Sequence, residues 1–345
     1  MKDRNLVVDI IRGFAMLLVV LGHTMSGSTI LYEGTVLFKI IWTLQMPLFI
    51  IISGYVTRYS RPLLDSESLL EFVKKRTLAY ILPWLVWTIV VRGVVFGQTN
   101  LLDLWTLLWR MDSGYWFLVT IWTISMIFGI SDLLSNKWFK DSLRNVLSHL
   151  IICGVGMLCL IAIGYYAGFD FCAIKLTLYY LPIYLLGYLY GKIQDWMMAR
   201  IRAKTIMNCA VVLSLGLWLA SIKRFDFYSG GDGIFMTMMR FTTSVLGCVA
   251  VAGLLSAACK TGGVHKGRLL KWSGIHSLEI YLTHYLFLSI VPALNPPVLS
   301  SLEGLFSLTA NFTLTMVLAI VTIRLAQCNS VLNYVLYAKR TYGQS

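Results

Sequence analysis

The sequence predicts an all-α fold: a polytopic membrane helix bundle of about ten transmembrane helices. Three observations carry this. Of the 345 residues, 58% are hydrophobic and only 13% are charged, whereas a soluble domain carries about 25% charged residues. The apolar residues fall in runs at regular intervals, each of about the length that crosses a bilayer. The basic residues are concentrated in alternate connections between those runs. Together they exclude a disordered chain and a soluble globular enzyme. At about 20 residues per span, the chain is filled by the bundle, so a single domain over residues 1–345 is expected, with no appended soluble domain.

The spans are placed in order at Leu6–Met25, Val36–Val56, Thr77–Phe96, Trp116–Leu133, Leu147–Tyr166, Ile174–Gly191, Ile206–Ile222, Met238–Ala257, Trp272–Val291 and Leu305–Leu325. The first has the basic flank and short apolar core of a signal peptide. No small-residue cleavage site follows, and a second span begins about ten residues later, so it reads as a retained helix. The second contains Pro47 and Gly54, which either kink a helix or mark one that lines a cavity. The third begins in the basic run Lys74-Lys75-Arg76 and contains Pro83. The ninth is interrupted by His276, Ser277, Glu279, Tyr281 and His284.

The net charge of +13 follows the connections. The second holds Arg58, Arg61, Lys74, Lys75 and Arg76; the fourth Lys137, Lys140 and Arg144. The sixth holds Lys192, Arg200, Arg202 and Lys204; the eighth Lys260, Lys266, Arg268 and Lys271. Lys2, Arg4, Lys339 and Arg340 add to the two ends, and the odd connections are poor in cations, with Lys223 and Arg224 the clearest exception. Basic loops face the cytoplasm. Both termini are therefore expected there, in a multi-pass protein of the plasma or inner membrane, and the charge requires no nucleic-acid partner. The seven cysteines form no C-x-x-C pair and read as small buried hydrophobes, without a disulfide framework or a zinc site.

An ionisable group inside a span is costly and is a functional hypothesis by default. The first span contains Asp9, Arg12 and His23. Eleven helical steps make three turns plus about 20°, so Arg12 and His23 share a face about 16 Å apart along the axis. Asp9, three residues before Arg12, is in reach to pair with it. These side chains also fit a snorkelling basic flank and an interfacial histidine, while a histidine near neutrality is the commonest general base. Lys74, Lys75 and Arg76 either hold a phosphate-bearing ligand or signal topology. Tyr115 and Trp116 either form an aromatic belt or a platform on which a sugar stacks. Glu279 and His284 must face protein or water, and the different helical angles of His276 and His284 argue against a metal pair.

These residues, in this order, resemble the membrane-bound acyltransferase-3 family, which includes bacterial polysaccharide O-acetyltransferases. Asp9 and Arg12 through His23 resemble the family's Arg-x10-His motif with its leading acid. Met46-Pro47-Leu48-Phe49 with Ser53-Gly54, Tyr115-Trp116-Phe117-Leu118, Leu186-Gly187 and Ser277…Tyr281-Leu282-Thr283-His284 resemble its later signatures. The resemblance implies an integral membrane O-acyltransferase. It would move an acetyl or other acyl group from cytoplasmic acetyl-CoA to a hydroxyl of an extracytoplasmic or lipid-linked glycan, with no metal and with membrane lipid around it. It implies that His23 and Arg12 are catalytic, with His23 a general base or an acyl carrier. It also implies that Lys74, Lys75 and Arg76 hold the donor. Arg76 matches the first arginine of an Arg-x-x-Arg pattern; Ala79 stands at the second, a departure for which Lys74 or Lys75 substitutes. Tyr115 and Trp116 are expected at the acceptor, with Asp9, Ser53, Glu279 and His284 in support. The competing class is a transporter or flippase of a lipid-linked sugar, which also uses inward charges and broken helices; the sequence shows no inverted repeat.

Overall fold

The computed structural model describes residues 5–91, 93, 97, 106, 109–111, 114–139, 141–224, 233–260, 267–288, 290 and 296–339, without the side chains of residues 198 and 201–203. Lys2, Arg4, Lys140, Lys266 and Arg340, the side chain of Arg202, and the expected span ends Phe96 and Val291 lie outside the described residues.

Among the described residues the chain forms α1 (Leu6–Ser28), α2 (Val36–Val56), α3 (Ser66–Val90), α4 (Trp116–Trp138), α5 (Ser142–Ala167), α6 (Ile174–Met198), α7 (Ile201–Arg224), α8 (Ile234–Lys260), α9 (Arg268–Ile275), α10 (Ser277–Thr283), α11 (Leu302–Gln327) and α12 (Ser330–Tyr337). A short 3-10 turn, His284–Phe287, follows α10. Among the described residues, eight segments are long and apolar enough to cross a membrane: α1, α2 with the turn after it, α4, α5, α6 with the turn before it, α7, α8 and α11. The 23 residues of α1 span about 34 Å, against a hydrocarbon core of about 30 Å.

Two expected spans take a different form. The third helix starts at Ser66, eleven residues before Thr77, because Asp65 and Ser68 form a capping box that satisfies free N–H groups of the first turn. Its first half is therefore a charged helix, and Lys74-Lys75-Arg76 lie inside α3 and not at its start. The ninth span is not one helix. It breaks at His276, whose φ of −104° and ψ of 22° leave the helical region, giving the short helices α9 and α10.

The chain divides into two compact units, residues 1–56 with 186–323, and residues 57–185 with 324–345. In the first, α1 packs against α2, α8, α9 and α10, and α8 packs against α7 and α2. Lipid offers no hydrophobic force between helices, so close backbone approach at small residues holds such contacts. A Cβ on Gly13 would stand 1.9 Å from the Leu270 carbonyl oxygen, and one on Gly274 would stand 1.8 Å from that of Asp9. Gly187 of α6 meets α2 in the same way, its Cβ position 1.9 Å from the Ile51 carbonyl oxygen. Trp218 of α7 donates to the Thr43 hydroxyl at 3.2 Å and lies against Gly247 of α8.

In the second unit α4 packs against α3 and α5, and α12 against α3. The Trp87 indole N–H donates to the Leu336 carbonyl at 2.8 Å and its ring stacks on Tyr337, fixing α12. Asp132 of α4 accepts from the Leu63 amide at 2.8 Å, tying down the segment that leads into α3.

Several helices present continuous apolar faces outward, such as Ile151, Val155 and Leu158 of α5 and Val212 and Leu213 of α7. Such faces suit lipid. They also correct the reading of the cysteines. Cys153 and Cys248 are buried, but Cys159, Cys209 and Cys328 are exposed, because an apolar run in a membrane protein has a face toward lipid as well as one toward protein. All seven are free thiols.

Candidate active site

The polar residues of the first unit converge on α1. Asn5 caps this helix, accepting from the Val7 and Val8 amides, and the helix continues unbroken to Ser28. Arg12 and His23 therefore keep the shared face and the separation of about 16 Å that helical geometry dictates. Asp9 is buried and Arg12 half-buried, in the stretch of α1 that packs on α9.

The glycine contacts pair residue 13 with 270 and residue 9 with 274, in opposite order along α1 and α9. After the break at His276 the chain is redirected. His276 Nδ1 lies 3.1 Å from the Glu279 Oε1 atom, Glu279 is fully buried, and the Thr283 hydroxyl donates to the Glu279 carbonyl. The following 3-10 turn is fixed by Thr315 of α11, whose hydroxyl donates to the Phe287 carbonyl at 2.7 Å. This turn carries His284 and Tyr285 to the far stretch of α1.

There His23 meets both. His23 Nδ1 is 2.9 Å from His284 Nε2, and its Nε2 is 3.2 Å from the Tyr285 hydroxyl. The imidazole rings lie 5.1 Å apart and 18° from parallel. His284 is fully buried, and its Nδ1 is 3.0 Å from the Ile280 carbonyl oxygen in its own helix. His23 and Tyr285 are half-buried, while Ser26 and Gly27, one turn beyond His23, are exposed. The imidazole is thus held at both ring nitrogens by protein, next to an exposed turn of α1.

Of the expected residues, His23 and His284 come into contact, and Asp9 and Arg12 lie on the same helix as His23. Glu279 supports the break before α10. Ser53 donates to the Phe49 carbonyl of α2 at 2.7 Å, a bond within its own helix. Tyr285 was not singled out by sequence reasoning. Its one signal was adjacency to His284, and its partner is 262 positions away.

The remaining expected residues belong to the second unit. Lys74 and Lys75 are exposed on α3. Arg76 is half-buried between aromatic neighbours one turn to each side. Its guanidinium donates to the Tyr80 hydroxyl at 3.1 Å and lies 5.2 Å from the Phe72 ring centroid, a placement that leaves the planar fork oriented. Tyr115 is buried with its ring edge-on to Trp87, and Trp116 stacks on Tyr180 at 5.7 Å and 15°. The aromatic pair is therefore packed into its own unit, with Trp116 the more accessible ring. No group of three or more His, Cys, Asp or Glu residues suited to a metal ion occurs among the described residues.

Eight long apolar helical segments among the described residues, a broken ninth span, and an unbroken α1 with a cation and an imidazole on one face define a polytopic helical membrane protein. Sequence comparison supplies the family: the family model described as an acyltransferase domain matches residues 5–325, and the chain belongs to the acyltransferase-3 family. It is 29% identical over 206 residues to the nodulation protein NolL of Mesorhizobium japonicum, covering 56% of this chain and 50% of that protein. It is 26% identical over 234 residues to the nodulation protein NolL of Sinorhizobium fredii, covering 62% and 57%. The chain thus spans between half and three-fifths of the length of these curated relatives.

Proposed function

We propose that the protein is an O-acetyltransferase of the cell membrane, with acetyl-CoA as donor and a hydroxyl of an extracytoplasmic or lipid-linked glycan as acceptor. The observation that carries this reading is the held imidazole of His23, on the same face of α1 as Arg12, in a chain of an acyltransferase family. An acyl transfer from a thioester to a hydroxyl needs a base, and a positioned histidine supplies one.

In this reading His23 takes the acceptor O–H proton as the oxygen lone pair attacks the thioester carbonyl carbon. The tetrahedral intermediate collapses with cleavage of the C–S bond. The departing thiolate takes the proton from His23, which returns to its neutral form. The products are the O-acetyl ester and CoA, and nothing is left over. Arg12 orients the charged network of the site. Lys74, Lys75 and Arg76 take the donor phosphates, Arg76 through its oriented fork, and Trp116 with Tyr115 serves the acceptor sugar. The basic connections set both termini in the cytoplasm.

The test is transfer of labelled acetyl from acetyl-CoA by the purified protein, with a panel of glycans and lipid-linked saccharides as acceptors. Acceptor-dependent formation of an alkali-labile O-acetyl ester is expected. Vectorial movement of an unmodified lipid-linked sugar in proteoliposomes, without transfer, would replace this reading with a transporter.

A further inference from the structure

Resting on the assignment of His23 as base, we infer that His284 is a positioning residue that fixes the His23 tautomer and leaves His23 Nε2 as the basic atom. The argument follows from which groups can donate. A backbone carbonyl only accepts, so the 3.0 Å contact between His284 Nδ1 and the Ile280 oxygen requires a proton on His284 Nδ1. Neutral His284 then carries its lone pair on Nε2. That lone pair lies 2.9 Å from His23 Nδ1, so His23 Nδ1 is the donor. Neutral His23 in turn carries its lone pair on Nε2. There it faces the Tyr285 hydroxyl at 3.2 Å, which donates to it. One chain of donors runs Tyr285 to His23 to His284 to Ile280, and every link has a single consistent sense.

The chain has a chemical consequence. When His23 Nε2 takes the acceptor proton, His23 becomes an imidazolium whose Nδ1–H still points at a neutral acceptor. His284 stabilises that cation without carrying a charge of its own, and its other nitrogen is committed to a carbonyl that cannot take up a proton. Full burial of His284 and the bond from Thr315 to Phe287 keep the ring in place. The acceptor hydroxyl must take the position at Nε2 that the Tyr285 hydroxyl holds, which identifies the reacting edge of the ring. A third group that orients a catalytic histidine through its far nitrogen is a known requirement for base catalysis, and the wrong tautomer lowers turnover by about 10⁴-fold in a serine protease.

The test compares His284→Gln, His284→Phe and His23→Gln in full-length, purified and correctly inserted protein. A glutamine carbonyl can accept from His23 Nδ1; a phenylalanine keeps an aromatic ring at the position but cannot accept. His284→Gln is expected to keep kcat within about tenfold of wild type, and His284→Phe to lose about 10²-fold or more, with KM for acetyl-CoA little changed in both. A second readout is the ¹⁵N spectrum of the His23 ring, assigned with the His23→Gln protein. It should show a protonated Nδ1 and a bare Nε2 in wild type and in His284→Gln, and the opposite tautomer in His284→Phe. Full activity with an unchanged spectrum in His284→Phe overturns the inference, as does equal loss in the Gln and Phe proteins, which would make His284 a packing residue. If His23→Gln is itself active, the base assignment fails whatever His284 does. If His23→Gln is dead while His284→Phe is active, the positioning role alone fails.

Discussion

Gly274 of α9 lies against Asp9 of α1 so closely that a Cβ on the glycine would stand 1.8 Å from the Asp9 carbonyl oxygen. The obstacle is backbone and cannot rotate aside. Gly13 faces Leu270 under the same restriction, so the two helices are locked in one register, and the break at His276 starts from that lock. Overpacking a tight contact costs about 1–3 kcal/mol, and a rigid backbone obstacle puts this one near the top of that range. Gly274→Ala and Gly13→Ala should each lower the thermal midpoint in detergent. Both should also lower acyl transfer, because the displaced α9 carries His284 with it. An unchanged midpoint would show that the helices part at no cost.

The proposed donor patch divides into two kinds of cation. Lys74 and Lys75 are exposed, whereas Arg76 is held by Tyr80 and Phe72. A hydrogen bond to a charged group is worth about 1.5–3 kcal/mol, so Arg76→Ala should raise KM for acetyl-CoA by about 10–100-fold while kcat stays within a few-fold. Lys74→Ala with Lys75→Ala should give a smaller rise that disappears at high salt. Equal donor affinity in all variants would make the run a topology signal alone.

Trp218 offers a stability prediction away from the proposed chemistry. It is buried between α7, α2 and α8, bonded to Thr43 and seated over Gly247. Trp218→Ala should destabilise the first unit by about 3–5 kcal/mol, and Trp218→Phe by less. Chemical denaturation in mixed micelles measures both. A loss below 1 kcal/mol for the alanine variant would mean that lipid or detergent fills the site.

The bundle, the face shared by Arg12 and His23, and the positions of most helices were legible in the sequence, because hydropathy and a 100° step need only local information. The start of α3 was missed by relying on hydropathy where the Asp65–Ser68 capping box decides. The break at His276 was half-visible. His276, Ser277 and Glu279 crowd four positions, too polar for an uninterrupted span, yet they resemble the lining of a continuous helix equally well. The contact between His23 and His284 bridges 261 positions and depends on the α1–α9 lock. No local pattern encodes it, which is why His284 read as a support and Tyr285 did not stand out. The aromatic pair illustrates the converse: Tyr115 and Trp116 were easy to pick out, but their packing on Trp87 and Tyr180 required the folded unit.

The central claim is that His23 is the base, and one measurement bears on it most directly: acyl transfer and acetyl-CoA binding determined side by side for wild type and His23→Gln, purified and correctly inserted. Glutamine preserves size and hydrogen bonding but cannot take up the acceptor proton, and a general base contributes about 10²–10⁴-fold to rate. The account predicts a fall in transfer of that order with donor affinity within a few-fold of wild type. Transfer near the wild-type rate in the glutamine protein would contradict it and return His23 to a structural role.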